Sequence, residues 1–276
     1  MPIASLNGVD LYYEDHGDGP AIVFNHGGGL SHLDWWQQVL FFTGLGYRCV
    51  TFDQRGCGLS GGVPAGVEGW WTEQGFDVWA NDTLALMNHL AIDRAVIVGM
   101  SMGGWNASRL TLLHPERVRG LIMVGTSFGL PTPAQQRWAA WMLDQARAGV
   151  NVVGDERSTA QQQRFRQRRP DLALLRDEFA ALFPPREGVR GLDVYEALAT
   201  MPPGDFSGFP VPSLFLVGED DALQFPWLIE ATADAVGGSK LVRIPDAGHC
   251  CHYEQAELCN VEMLDFIRGL DAVCET

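Results

Sequence analysis

The sequence lacks any apolar run of about 18 residues, the length a transmembrane helix requires, and it has little positive charge. Its 19 lysines and arginines are outnumbered by 34 aspartates and glutamates, which gives a formal net charge of −15. Nucleic acids and anionic membrane surfaces repel such an acidic protein. We therefore expect no nucleic acid and no membrane among its partners.

Marks of secretion are also missing. The first residues, Met1–Ser5, show no basic segment followed by an apolar stretch, so we expect no signal peptide. The six cysteines include the neighbours Cys250 and Cys251, and their irregular spacing does not indicate a disulfide framework. A reduced, cytoplasmic protein is the simplest interpretation.

Short β-branched runs alternate with helical patterns, which predicts an α/β fold with a mainly parallel sheet covered by helices. The 276 residues suffice for one large domain of this kind. The predicted strands are Leu11–Glu14 at an edge, Ala21–Phe24, Tyr47–Phe52, Ala95–Val98, Leu121–Val124, Leu214–Val217 and Lys240–Ile244. The predicted helices are Asp77–Leu90, Gly103–His114 and Ala256–Leu270.

This alternation stops between Phe128 and Pro212, where the pattern is helical only. The stretch carries Trp138 and Trp141 and a basic segment at 161–169. We expect a helical cap inserted into one core. The core then comprises residues 1–127 and 213–276, and the cap comprises residues 128–212.

A serine stands between two glycines in Gly99-Met100-Ser101-Met102-Gly103, directly after the aliphatic run Ala95–Val98. A strand that reverses sharply into a helix strains its turning residue. Chain segments pass so close there that glycine is favoured two positions before and after the serine. The pattern predicts a nucleophile elbow that presents the Ser101 hydroxyl above the sheet.

A serine hydroxyl needs a base, an orienting acid and an oxyanion site to act as a nucleophile. His249, after the last predicted strand, is the candidate base, and the acid lies in the run Glu219-Asp220-Asp221. One oxyanion donor is the backbone N–H of Met102, and a second is expected from the glycine loop 27–29.

Four blocks of sequence together resemble the α/β-hydrolase fold superfamily: His26–Gly29, Asp53–Ser60, Gly99–Gly104 and Gly248–His249. The resemblance extends over essentially the whole core. It implies Ser101 as nucleophile, His249 as base, and Gly28 with Met102 as oxyanion donors. It selects Asp221 as the acid, because the family's acid stands three residues after the glycine that ends its strand, here Gly218.

These residues predict a serine hydrolase of a small carboxylic ester or lactone with an apolar acyl part, working through an acyl-enzyme without a cofactor. Alternatives are a carbon–carbon bond hydrolase of ring-cleavage diketones and a cofactor-free perhydrolase of the "haloperoxidase" type. The diketone hydrolases usually have Pro-Gly where this chain has Leu30-Ser31. A non-catalytic, ligand-binding member of the fold is a further alternative. Serine at position 101 disfavours dehalogenases and epoxide hydrolases, which use aspartate.

Other conspicuous residues have plainer interpretations. His26 is expected to fix its own loop, and Asp53 and Arg55 to form a structural turn. His252 is expected on the surface or behind the site, and Trp105 between helix and sheet. The residues His249–His252 do not have structural-zinc spacing, so no metal is expected.

The sequence leaves the roles of two further groups of residues open. The arginines 157, 164, 166, 168 and 169 either form a solvated helix face or steer an anionic substrate. The tryptophan pairs 35–36 and 70–71 either pack in the core or line an apolar pocket between cap and sheet.

Overall fold

The computed structural model describes residues 2–62, 77–150, 160–183 and 191–274. Within them, eight strands form one sheet: β1 Ile3–Leu6, β2 Val9–His16, β3 Ala21–Asn25, β4 Arg48–Phe52, β5 Ala95–Met100, β6 Val118–Val124, β7 Ser213–Gly218 and β8 Ser239–Ile244. Their order is β1-β2-β4-β3-β5-β6-β7-β8. The first two strands pair antiparallel with their neighbours, and β3 to β8 pair in parallel.

Strand β1 corrects the prediction of an edge strand at Leu11–Glu14. That segment lies within β2, which β1 covers on its outer side. Asn7 and Gly8 join the two strands with φ values of 47° and 75°. An Asn-Gly pair with both φ values positive is the favoured two-residue hairpin turn. The signal for β1 was therefore present in the sequence.

The helices are α1 Trp36–Gly44, α2 Asp77–His89, α3 Gly103–Leu113, α4 Pro133–Arg147, α5 Ala160–Arg168, α6 Pro170–Leu182, α7 Gly191–Thr200, α8 Pro226–Ala235, α9 Cys251–Glu254 and α10 Ala256–Cys274. Helices α1 and α8 were not predicted from the sequence. None of the helices in the described ranges has both the length and the apolar character needed to cross a bilayer.

Helices cover both faces of the sheet, which explains why the inner parallel strands β3, β5 and β7 are buried along their whole length. In β3 every residue is buried. Ile22 and Phe24 contribute to a cluster with α1 and α10, whereas Val23 contributes to a cluster with α2, α3 and α8. Both faces therefore hold a core, and the loops at the carboxyl ends of the strands are left to carry the site.

The described elements between β6 and β7 are all helices, α4 to α7. Helices α4 and α7 contribute to a third apolar cluster, in which Trp105 of α3 stacks on Phe128 with ring centroids 5.4 Å apart. Phe128 in turn contacts Trp138 of α4 edge-on at 5.5 Å. The prediction that Trp105 packs between helix and sheet is therefore wrong, because its ring lies under the inserted helices. The division into core and cap at residues 128–212 stays a prediction.

Candidate active site

Ser101 stands at a sharp turn between β5 and α3. Its φ of 48° is in the left-handed region, which is uncommon for a residue other than glycine. A Cβ at Gly103 would lie 2.1 Å from the carbonyl oxygen of Asn25, and one at Gly99 would lie 2.5 Å from that of Gly103. The close approach predicted for both glycines is therefore confirmed, and the elbow leaves no space for other residues.

Ser101, His249 and Asp221 form a continuous hydrogen-bonded chain. His249 Nε2 lies 3.0 Å from Ser101 Oγ, and His249 Nδ1 lies 2.9 Å from Asp221 Oδ2. All three residues are buried, with 7%, 6% and 2% of their surfaces exposed. Their loops follow β5, β8 and β7, so the parallel register of the sheet brings together residues far apart in sequence.

Asp221 is fixed on both of its carboxylate oxygens. Oδ1 accepts hydrogen bonds from the backbone N–H groups of Leu223 and Gln224, both at 2.9 Å, which leaves Oδ2 for His249. Asp220 and Glu219 are exposed instead, and Asp220 pairs with Arg164. Of the three predicted acids, the structure therefore brings Asp221 to the histidine.

This arrangement determines the tautomer that His249 needs. A carboxylate accepts only, so Nδ1 must carry the proton that it donates to Asp221. Nε2 is then an acceptor for the Ser101 hydroxyl. The set can take a proton from the serine, hold it on the imidazole and return it.

The glycine loop after β3 lies against Ser101. A Cβ at Gly27 would come within 3.3 Å of Ser101 Cβ, and one at Gly28 within 2.6 Å of Met102 Sδ. Gly28 and Met102, the two predicted oxyanion donors, are therefore neighbours beside the nucleophile. Met102 is also the residue from which α3 begins, where backbone N–H groups and the helix dipole favour negative charge.

His26 holds this loop in place, as predicted. Its Nδ1 donates to the Gly27 carbonyl at 2.7 Å, and its Nε2 accepts from the Gln54 backbone N–H at 3.0 Å. Burial lowers the pKa of His26, in keeping with a neutral ring that donates from one nitrogen and accepts at the other. The side chain of Gln54 also donates to the His26 carbonyl.

Asp53 and Arg55 form structural contacts, as predicted. Asp53 accepts from the backbone N–H and Nδ1 of His32 at 2.7 and 2.8 Å and from the Leu59 N–H at 2.8 Å. Burial alone would raise the pKa of Asp53, but the hydrogen bonds from His32 and from the Leu59 N–H help to hold this pKa below its usual value. Arg55 pairs with Asp82 of α2.

His252 is not on the surface, so that part of its prediction is wrong. It is fully buried in α9, and its Nε2 lies 2.7 Å from Asp34 Oδ2. Its ring also packs against Trp35 at 4.4 Å. In the part of the chain that the structure describes, no three His, Cys, Asp or Glu side chains form a group that could hold a metal ion.

The described arginines of the basic segment each face an aspartate. The pairs are Arg164–Asp220, Arg166–Asp177, Arg168–Asp246 and Arg169–Asp171. All four guanidinium groups are exposed, which fits the solvated helix face. Arg157 lies outside the described residues.

Of the two tryptophan pairs, the first, at 35–36, lies in the described part of the chain. Trp35 is fully buried and packs against Phe24 with ring centroids 5.0 Å apart, and Trp36 packs at the edge of the same cluster. This first pair is therefore part of the core. The pair 70–71 lies outside the described residues.

Two residues that help to fix Ser101 and the loop of His249 were not predicted from the sequence. Thr126 Oγ1 donates to the Ser101 carbonyl at 2.8 Å, and the Ser101 N–H bonds to the Val124 carbonyl at 3.1 Å. Glu254 accepts a hydrogen bond from the N–H of Gly248, just before His249. Thr126 is 25 residues from Ser101 in sequence, and no motif connects the two. Glu254 could have been indicated, because it is an acidic residue in the mostly apolar segment that follows His249.

Comparison with known proteins identifies the family to which the chain belongs. Residues 20–256 match the family model of the alpha/beta hydrolase fold. The chain is 30% identical over 272 residues to BpoC of Mycobacterium tuberculosis, which is named as a non-heme bromoperoxidase; the match covers 96% of this chain and 100% of that protein. It is 28% identical over 282 residues to the bifunctional esterase/perhydrolase DCH of Acinetobacter calcoaceticus, covering 97% and 99%.

A solved structure extends the comparison. The enol-lactonase from Burkholderia xenovorans LB400 has a TM-score of 0.74 and 26% identity to this chain, covering 97% of it and 100% of the lactonase. The family model covers residues 20–256, and the eight described strands form a mainly parallel sheet flanked by helices. This chain belongs to the α/β-hydrolase fold family of enzymes.

Proposed function

We propose that this protein is a serine hydrolase that cleaves a carboxylic ester or lactone through an acyl-enzyme. The observation that carries the proposal is the buried hydrogen-bonded chain from Ser101 through His249 to Asp221. Relatives named as an esterase/perhydrolase and an enol-lactonase support the substrate class. We further propose that the enzyme acts without a cofactor in the cytoplasm.

The proposed first step forms the acyl-enzyme. His249 Nε2 takes the hydroxyl proton as Ser101 Oγ bonds to the carbonyl carbon, and the backbone N–H groups of Gly28 and Met102 hold the resulting oxyanion. Asp221 stabilises the imidazolium. When the ester C–O bond breaks, His249 returns the proton to the alcohol oxygen, which in a lactone stays in the same molecule.

The second step releases the acid. His249 takes a proton from water, the hydroxide oxygen bonds to the acyl carbon, and Ser101 Oγ leaves with a proton from the histidine. Hydrogen peroxide in place of water would give a peracid by the same route. The relative named as an esterase/perhydrolase favours perhydrolysis as a second activity of the same acyl-enzyme.

The proposal that the acyl part is apolar rests on the apolar side chains near Ser101. Met102 and Leu223, neighbours in sequence of Ser101 and Asp221, pack against the apolar cluster that contains Phe128. This cluster joins α3 to the inserted helices, so we propose that the inserted helices form a cap over the substrate. An apolar acyl chain would contact it without leaving a polar group unpaired.

A substrate panel tests this proposal. Wild-type protein should release p-nitrophenol from medium-chain p-nitrophenyl esters, and Ser101→Ala should reduce kcat by about 10⁶-fold. A vinylogous diketone serves as the competing carbon–carbon substrate. Turnover of the diketone with no ester hydrolysis would replace the proposal by the carbon–carbon hydrolase alternative.

A further inference from the structure

Glu254 is a buried carboxylate that the proposed reaction does not use. Only 7% of its surface is exposed. It accepts hydrogen bonds from the Gly248 backbone N–H at 2.9 Å, from Gln161 Nε2 at 3.1 Å and from Gln162 Nε2 at 2.9 Å. All three donors are neutral amides, and two of them belong to α5, between β6 and β7.

The same helix also contacts the loop of the candidate base directly. Gln161 Nε2 donates to the Asp246 carbonyl at 2.7 Å, and Arg168 donates to the same oxygen at 2.9 Å. Asp246 has a φ of 53°, so the loop turns there through a strained conformation. A Cβ at Gly248 would lie 3.4 Å from Gln161 Cγ, so the glutamine packs on the backbone next to His249.

These contacts bear on the reaction because a general base must be placed closely. A displacement of about 1 Å can cost about 100-fold in rate. Without the Glu254 carboxylate, the Gly248 N–H and two glutamine amides would lose a charged acceptor, and such bonds are stronger than neutral ones. The loop would then relax, and His249 would move with it.

We propose that Glu254 is a positioning residue for His249, and that Gln161 and Gln162 couple the docking of α5 to the position of the base. This inference rests on the proposed function, since it assigns His249 as the base for Ser101. In this arrangement the docking of α5 on the loop adds to the hold that Asp221 has on the base. Movement of the inserted helices and readiness for proton transfer are thereby linked.

Substitutions at Glu254 provide the first test, with a fluorophosphonate as probe. The measured quantity is the phosphonylation rate constant per labelled site, which does not depend on the fraction of protein that is folded. Glu254→Gln keeps an acceptor oxygen for Gly248 and should react about tenfold more slowly than wild type, and Glu254→Leu about 100-fold. For ester hydrolysis, kcat should fall by similar factors and KM should change far less.

A matched pair of variants on α5 provides the second test. The double variant Gln161→Leu/Gln162→Leu removes both amide donors and should lower the rate constant about tenfold. Arg166→Gln is the control, because Arg166 is exposed on the same helix and pairs with Asp177 of α6 rather than with the loop. It should react at the wild-type rate.

The outcomes separate this inference from the proposed function. If wild type is labelled at Ser101 and both the Glu254 variants and the double variant react at its rate, the inference is overturned while the hydrolase proposal stands. If wild type is not labelled at Ser101, the proposed function fails and the inference with it. If Glu254→Leu does not fold, Glu254→Gln and the double variant decide.

Discussion

Asp221 differs from its neighbour Asp220 in what each carboxylate contacts, and this difference is testable. Asp221 Oδ2 lies 2.9 Å from His249 Nδ1, whereas Asp220 is exposed and pairs with Arg164. Asp221→Asn should lower kcat by about 10⁴-fold, because an amide donor favours the wrong histidine tautomer. Asp220→Asn should cost far less, since exposed ion pairs contribute little. Steady-state ester hydrolysis measures both, and a larger loss in Asp220→Asn would move the acid to that position.

The site residues differ in how directly the sequence predicts each of them. Ser101 and His249 stand in motifs whose spacing is set by the local backbone, so the sequence indicates them directly. Asp221 needed the family resemblance, because three adjacent acids follow β7 and only the fold decides which one reaches the histidine. Thr126 acts through a contact with a distant segment, and nothing in its own neighbourhood marks that contact. Glu254 was open to prediction, because it is an acidic residue in the mostly apolar segment after His249.

Among the secondary-structure elements, the close approach of α3 to β5 and to the end of β3 depends on the glycines at the elbow. A Cβ at Gly103 would lie 2.1 Å from the Asn25 carbonyl oxygen, and backbone cannot yield as a flexible side chain can. Gly103→Ala should therefore lower the free energy of unfolding by about 3 kcal/mol or more. Urea unfolding followed by circular dichroism measures this change.

Gly44 is the matched control for that substitution. It ends α1, and a Cβ there would meet nothing within 4 Å. Gly44→Ala should be neutral or raise the free energy of unfolding by about 0.5–1 kcal/mol, because alanine is the better helix residue. Equal destabilisation by the two substitutions would contradict the close packing at the elbow.

The elements themselves were predictable where they are buried and periodic. Strands β3 to β7 were recognised from mostly apolar runs, which parallel strands covered on both faces must have. Strand β8 lies at the edge of the sheet, is partly exposed and was recognised from the run Leu241–Ile244 despite its charged residues. Helices α1 and α8 were missed because their polar and apolar residues are mixed in short segments beside loops. The packing of α4 against the loop after β7 depends on long-range contacts such as the one between Trp138 Nε1 and the Leu223 carbonyl, at 2.8 Å. Local pattern cannot supply these.

At the scale of the whole molecule, buried Asp–His pairs fix the loops at the carboxyl edge of the sheet. Besides Asp221 with His249, the described residues contain Asp53 with His32 and Asp34 with His252. For Asp34, as for Asp53, burial opposes ionisation, but the adjacent histidine and further neighbouring groups together more than offset it, and the net pKa is below the usual value. A lowered pKa in the folded state means that these carboxylates stabilise the fold only while they are ionised.

The expected pH dependence follows from that direction. The stabilisation is complete above the unfolded aspartate pKa of about 3.9, and it is lost as the pH falls through the lower, folded value. Asp53→Asn should reduce the free energy of unfolding at pH 7 by about 3 kcal/mol. The difference from wild type should narrow below about pH 3.9. Urea titrations at a series of pH values measure it, and a constant difference would contradict the ionised state of Asp53.

We propose that Ser101 is a nucleophile activated by His249, and covalent labelling of the serine measures this reactivity. The protein is treated with a fluorophosphonate, and the adduct is located by peptide mass spectrometry. We expect a single adduct on Ser101 in wild type, none in Ser101→Ala, and a strongly slowed reaction in His249→Ala. Absence of an adduct from wild type, or equal labelling of Ser101→Ala, would contradict the account.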